Sequence, residues 1–129
     1  MAQLLGSSSG LVQHGCLVVC RADSPSDVSD WDPSEAAFYT AGDAIIFAVR
    51  PSVVGPVEVE AWQGMPGTPL EHVLFSESLS EGSKHLLLSD PNDVVSVEFD
   101  SSQEEVIVQA RVDNVEWPAR VQVIVSPGT

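Results

Sequence analysis

Asp43-Ala44-Ile45-Ile46-Phe47-Ala48-Val49-Arg50 decides the fold class of this chain. Six consecutive apolar residues are bounded by charge and followed by Pro51 and the turn signal Gly55-Pro56. The run is too short for a typical helix and rich in β-branched and aromatic side chains, so it reads as a strand buried on both faces. As such it is expected to be the central strand on which the others pack.

Downstream, Val57-Glu58-Val59-Glu60-Ala61-Trp62 alternates strictly, which turns Val57, Val59 and Ala61 inward and leaves a wet face. Residues 63–69 hold two glycines and two prolines and read as a loop. Glu71–Leu79 and Lys84–Ser89 read as two strands of a hairpin joined by Ser80-Glu81-Gly82-Ser83, with Gly82 where a positive φ is usually needed. Asp90-Pro91-Asn92-Asp93 is a turn. Val94–Asp100 follows with Val95, Val97 and Phe99 inside, then a strand over 106–112, then Arg120–Val125 with Val121, Val123 and Val125 inward. Upstream, Cys16-Leu17-Val18-Val19-Cys20, closed by Arg21, is a first buried strand. Residues 1–10 end in Gly6-Ser7-Ser8-Ser9-Gly10, the composition of a flexible leader. The expected architecture is therefore all-β: an antiparallel β-sandwich of about eight strands over residues 11–129, a single domain behind a short leader.

Nineteen acidic residues against five basic ones give a formal charge of −14. A field of that sign argues against nucleic acid or an anionic membrane as partner, because either needs a basic patch, and it favours basic proteins, cations or simple solubility. Cys16 and Cys20 are the only cysteines. On an extended strand they stand about 13 Å apart at roughly 3.3 Å per residue, beyond the reach of a disulfide. Two free, mostly buried thiols fit a reducing cytoplasm, and the amino end lacks the basic and apolar regions of a signal peptide.

The most polar linker is 22–39, where Asp23, Asp27, Asp30, Asp32 and Glu35 alternate with serines around Trp31. Asp32-Pro33-Ser34-Glu35 has capping-box spacing and could start a short helix toward Phe38. Catalytic motifs are absent: no nucleophile elbow, no His-Glu-x-x-His, no phosphate-binding glycine loop. His72 and His85 could meet across the hairpin as an acid/base or metal cluster, though two ordinary edge histidines explain the sequence as well. Glu58 and Glu60 lie about 7 Å apart on one strand face, a spacing a glycosidase could use and any wet face also shows. The five carboxylates of the linker supply enough oxygen for calcium, but without the spacing or glycine of the helix-loop-helix motif. No cofactor, metal or catalytic residue is assigned. The remaining reading makes the acidic surface the functional object. Asp23, Asp27, Asp30, Asp32 and Glu35 steer a basic protein while Trp31 and Trp62 anchor it; the alternative is a calcium- or carbohydrate-binding module.

The order of features resembles the competence protein J family: an amino-terminal strand, the acidic Asp30-Trp31-Asp32 linker, the Ala41–Arg50 strand ending in Arg50-Pro51, the Val57–Trp62 strand, a hairpin containing Val73-Leu74-Phe75, and three alternating strands to the end. The resemblance implies a small acidic β-sandwich that inhibits a DNA-entry nuclease, its carboxylates competing with phosphate for a basic cleft, and it carries over no catalytic residue.

Overall fold

A computed structural model describes residues 2–24, 28–79, 82–101 and 104–127. Ten strands run through them: β1 (Gln3–Gly10), β2 (Cys16–Arg21), β3 (Phe38–Thr40), β4 (Ala44–Ala48), β5 (Val57–Gln63), β6 (His72–Leu79), β7 (His85–Ser89), β8 (Ser96–Asp100), β9 (Val106–Val112) and β10 (Arg120–Pro127). They form two five-stranded sheets, β1-β5-β10-β9-β6 and β3-β4-β2-β7-β8. Pairing is antiparallel except between β5 and β10, which run parallel. The all-β sandwich is the expected class, with β1 and β3 added.

Period-two patterning builds the core. Val57, Val59 and Ala61 of β5, Val97 and Phe99 of β8, alternate residues of β9 from Val106 to Val112, and Val121, Val123 and Val125 of β10 are buried. Each valine and phenylalanine among them contributes roughly 1.5–3 kcal/mol by leaving water. Phe75 locks the sheets together: its ring centroid stands 5.2 Å from that of Phe38 and 5.3 Å from that of Phe47, both on the facing sheet.

Four sequence expectations are corrected. Ala44, Ile45, Ile46 and Phe47 are buried on both faces of β4, but β4 sits one place in from the edge and β2 holds the centre. The glycine- and serine-rich leader is β1, paired with β5 from Gln3↔Gln63 to Gly10↔Val57. Its glycines meet a steric demand: a Cβ on Gly6 would stand 2.7 Å from Val97 Cγ1, and one on Gly10 2.6 Å from Val94 Cγ1. Residues 32–35 make one turn, with Glu35 and Ala36 donating to the Asp32 carbonyl, and no helix follows because the chain extends into β3. β6 and β7 are not hairpin partners; they lie in different sheets, β6 on β9 and β7 between β2 and β8. The chain crosses the sandwich between them, so His72 and His85 do not meet.

Strand directions sort the connections to two ends. β2 and β8 finish, and β4, β7 and β9 begin, at one end. The connections 11–15, 49–56, 90–95 and 113–119 occupy the other. Residues 64–71 instead run over the outer face of the first sheet: Gln122 Oε1 accepts from Leu70 N at 2.7 Å, and Arg111 Nε donates to the Leu70 carbonyl at 2.7 Å. Under that strap Gln122 is buried, and Ile124, two residues on along the same outer face of β10, is buried as well.

Candidate functional site

β2 delivers the acidic connection to the surface. Leu17, Val19 and Arg21 alternate inward and are fully buried, so the strand ends on a guanidinium inside the sandwich. Arg21 donates to the Ser83 carbonyl at 2.9 Å and to the Glu104 carbonyl, tying three connections together beneath the acidic segment. Beyond it Asp23 is exposed and accepts from Ser83 N at 3.2 Å. Asp27 lies outside the described residues.

Asp30, Asp32 and Glu35 are exposed and Trp31 is half-buried. The turn that follows them is built by Asp32, whose Oδ1 accepts from Ser34 Oγ at 2.7 Å and Ser34 N at 2.9 Å. Those bonds favour the carboxylate and hold the Asp32 carboxyl below its usual range. Trp31 Nε1 donates to the Ala36 carbonyl at 3.0 Å, which fixes the ring against the same turn. Asp30, Trp31, Asp32 and Glu35 thus share one short, internally bonded segment.

Trp62 does not join them. It stands on β5 in the other sheet, half-buried, and donates to Glu60 Oε1 at 3.1 Å. Around it the register sets two rows of polar side chains across three strands: Ser9, Glu58 and Arg120, then Ser7, Glu60 and Gln122. With Leu70 of the strap these rows line an open groove of about 450 Å³. Gln122 Nε2 donates to Glu60 at 3.2 Å, and Arg120 Nε stands 3.7 Å from Glu58. Glu58 and Glu60 are legible in the sequence as a same-face pair. Their partners are not, because only the register of β1 and β10 brings the serines, Arg120 and Gln122 beside them.

Three of the arginines are bound to backbone carbonyls. Besides Arg21, Arg50 donates to the Pro56 carbonyl at 2.7 Å and Arg111 to that of Leu70. With nineteen acidic residues against five basic ones, the field of the folded chain is negative. His85 sits between carboxylates of β8, with Nδ1 2.8 Å from Asp100 and Nε2 3.5 Å from Glu98, and the Asp100 hydrogen bond raises its pKa. Neither cysteine is in a disulfide; burial, then Asp90 beside Cys16 and Asp43 beside Cys20, pushes the thiol pKa values up. Among the described residues no group of three or more His, Cys, Asp or Glu side chains is placed to hold a metal ion.

At the opposite end lies a feature the sequence reading missed. Trp117 is 52% exposed, and Val53 at the tip of its turn is 91% exposed. Periodicity cannot flag them, since both sit in turns where no alternation applies; a tryptophan beside Asn114 and Glu116 was the available signal.

Two five-stranded sheets over a valine-rich core, with carboxylates gathered on the β2–β3 connection, define an acidic all-β sandwich. Solved structures share this fold. The chain superimposes on the crystal structure of ComJ, inhibitor of the DNA-degrading activity of NucA, from Bacillus subtilis, with a TM-score of 0.75 at 12% identity over 98% of both chains. A second solved structure, described as crocagin biosynthetic gene J, gives a TM-score of 0.61 at 11% identity over 100% of this chain and 99% of that one. No protein-family model and no curated protein matches the sequence. The resemblance carried by the order of features is thus matched by a shared fold.

Proposed function

We propose that this protein is a non-enzymatic binding protein of the cytoplasm, of the inhibitor or immunity type, that occupies a basic cleft on a protein partner such as a nuclease. The observation that carries the reading is the Asp30–Glu35 segment: exposed carboxylates flank an aromatic ring, and the backbone beneath them is fixed by its own hydrogen bonds. A pre-ordered segment loses little entropy on binding, its charge speeds encounter, and Trp31 supplies apolar area. The fold shared with an inhibitor of a DNA-degrading activity supports it. Asp23 is exposed on the same connection and accepts from Ser83 N, while Trp62 stands on β5 in the other sheet, beside Glu60 of the groove.

The test is capture of partners from the source lysate on immobilised protein, washed at low and then high salt, followed by a DNA-degradation assay on whatever salt releases. A basic protein with DNA-degrading activity that the free protein suppresses supports the reading. An eluate with no basic protein at low salt overturns it.

A second reading rests on the groove. Two carboxylates, two hydroxyls, an amide and a guanidinium in about 450 Å³ suit a polyhydroxylated ligand. Amide-resonance titration with neutral mono- and oligosaccharides checks it; shifts confined to Ser7, Ser9, Glu58 and Glu60 would favour it, and none at saturating sugar would discard it.

A further inference from the structure

The two oxygens of the Glu60 carboxylate stand in different surroundings. Oε1 accepts from Trp62 Nε1 at 3.1 Å and from Gln122 Nε2 at 3.2 Å. A carboxylate oxygen offers about two lone-pair sites, so both on Oε1 are taken. Among the described residues nothing donates to Oε2. The donors are themselves fixed. Gln122 is buried under the strap, and the Leu70 amide, which can only donate, meets its Oε1 at 2.7 Å. That contact turns Nε2 toward Glu60 and toward the Thr68 carbonyl, 3.3 Å away. Glu60 thus presents one open, pre-oriented oxygen to the groove of about 450 Å³.

Its neighbours define what fits there. Glu58, the other carboxylate of the groove, has Arg120 Nε 3.7 Å away, whereas among the described residues no basic side chain pairs with Glu60. One added positive charge would balance the groove. A metal ion does not meet that need, because among the described residues no group of three or more His, Cys, Asp or Glu side chains is placed to hold one. A guanidinium fork bonds to both oxygens of a carboxylate and finds Oε1 already occupied. A primary ammonium needs only Oε2 and keeps two donors for other acceptors. Hydroxyls stand close by: the register sets exposed Ser7 beside Glu60 and exposed Ser9 beside Glu58, while Leu70 adds an apolar wall.

We infer that the groove takes an amino sugar, with its primary ammonium on Glu60 Oε2 and its hydroxyls toward Ser7 and Ser9. The inference rests on the reading of the groove as a site for polyhydroxylated ligands, and it adds the charge that selects among them.

Resonance titration of the full chain at about pH 6, below the ordinary amine range, compares glucosamine oligomers with N-acetylglucosamine oligomers of equal length. Acetylation removes the charge and keeps the ring. The neutral oligomer should bind, and the amino sugar should bind at least about tenfold tighter, a factor one charge-assisted bond supplies. Shifts should fall on Ser7, Glu60, Trp62 Nε1 and the Gln122 side-chain amide. Glu60→Gln keeps an acceptor for Trp62 and Gln122 and puts a donor in place of Oε2, so it should abolish the preference; unaltered far-ultraviolet dichroism confirms that it folds. Glu98→Gln makes the same charge change on the outer face of the other sheet and should leave the preference intact. Nα-acetyl-lysine amide, an ammonium without hydroxyls, should bind more weakly than the amino sugar. Equal affinity for cationic and neutral oligomers overturns the inference and leaves the polyhydroxylated reading standing, whereas binding of neither overturns both. A preference that survives Glu60→Gln also overturns it. A lysine amide that matches the amino sugar would do the same, assigning the seat to a basic side chain of a protein.

Discussion

Gly6→Ala is the substitution that separates a paired first strand from a loose leader. An alanine Cβ at this position would stand 2.7 Å from Val97 Cγ1, and Val97 is buried between the sheets. Its side chain has little room to turn away, so overpacking costs about 1–3 kcal/mol. Replacing glycine also stiffens the unfolded chain, which returns about 0.4–1 kcal/mol. The net is a loss of up to about 2.6 kcal/mol, and about 1.3 kcal/mol at the middle of the two ranges. Gly10→Ala makes a nominally closer approach, 2.6 Å to Val94 Cγ1, but Val94 is half-exposed and can rotate into solvent, so that loss should be the smaller. Ser7→Ala points outward and should fall within about 0.5 kcal/mol of the parent. Urea denaturation of the three variants, with the slope held constant, reads these differences as shifts in midpoint. Equal midpoints for Gly6→Ala, Ser7→Ala and the parent would refute the packing of β1 against β8.

Other consequences follow from single groups. Arg21→Ala leaves the Ser83 and Glu104 carbonyls without this donor in a buried place and should cost about 3–5 kcal/mol, measured by the same urea midpoints. His85 should titrate above the ordinary imidazole value of about 6.5, and Asp100→Asn should bring it down, as followed by its ring proton resonances. Because the folded pKa is the raised one, the contact adds stability below the ordinary value and loses it as pH rises through the raised value. Cys16 and Cys20 should react slowly with a thiol reagent at neutral pH and faster as pH rises, since burial disfavours the thiolate. Calcium and a chelator should leave the melting temperature within about 1 °C, because a ligand selective for the native state would raise it.

Alternation along a strand is a local property, and for that reason β2, β5, β8, β9 and β10 could be read within a residue or two of their bounds. Pairing is not local. The run 44–48 is buried on both faces, yet burial does not say which neighbour lies on each side, and the central place fell to β2. Glycine and serine in 6–10 carry the composition of a linker; only the approach of Val97 and Val94 explains why a strand needs them there. Ser80–Ser83 looks like a hairpin turn, but β6 pairs with β9 and β7 with β2 and β8, pairings that no local signal in those four residues reports. At the candidate site, Asp30, Trp31, Asp32 and Glu35 come together because they are close in sequence. Trp62 is set apart because the sheet to which a residue belongs is decided by the whole topology. Trp117 was missed since nothing in a turn's sequence reports its exposure.

The most direct test of the proposed role is inhibition of the captured DNA-degrading partner by the parent protein and by a variant carrying Asp30→Asn, Asp32→Asn and Glu35→Gln, across a range of salt. The expected result is suppression by the parent at near-equal molar amounts, weakening as salt rises, with association of the variant roughly tenfold or more slower at low salt and the difference shrinking at high salt. Equal inhibition by parent and variant at low salt would contradict it, since the charged segment would then have no part in binding.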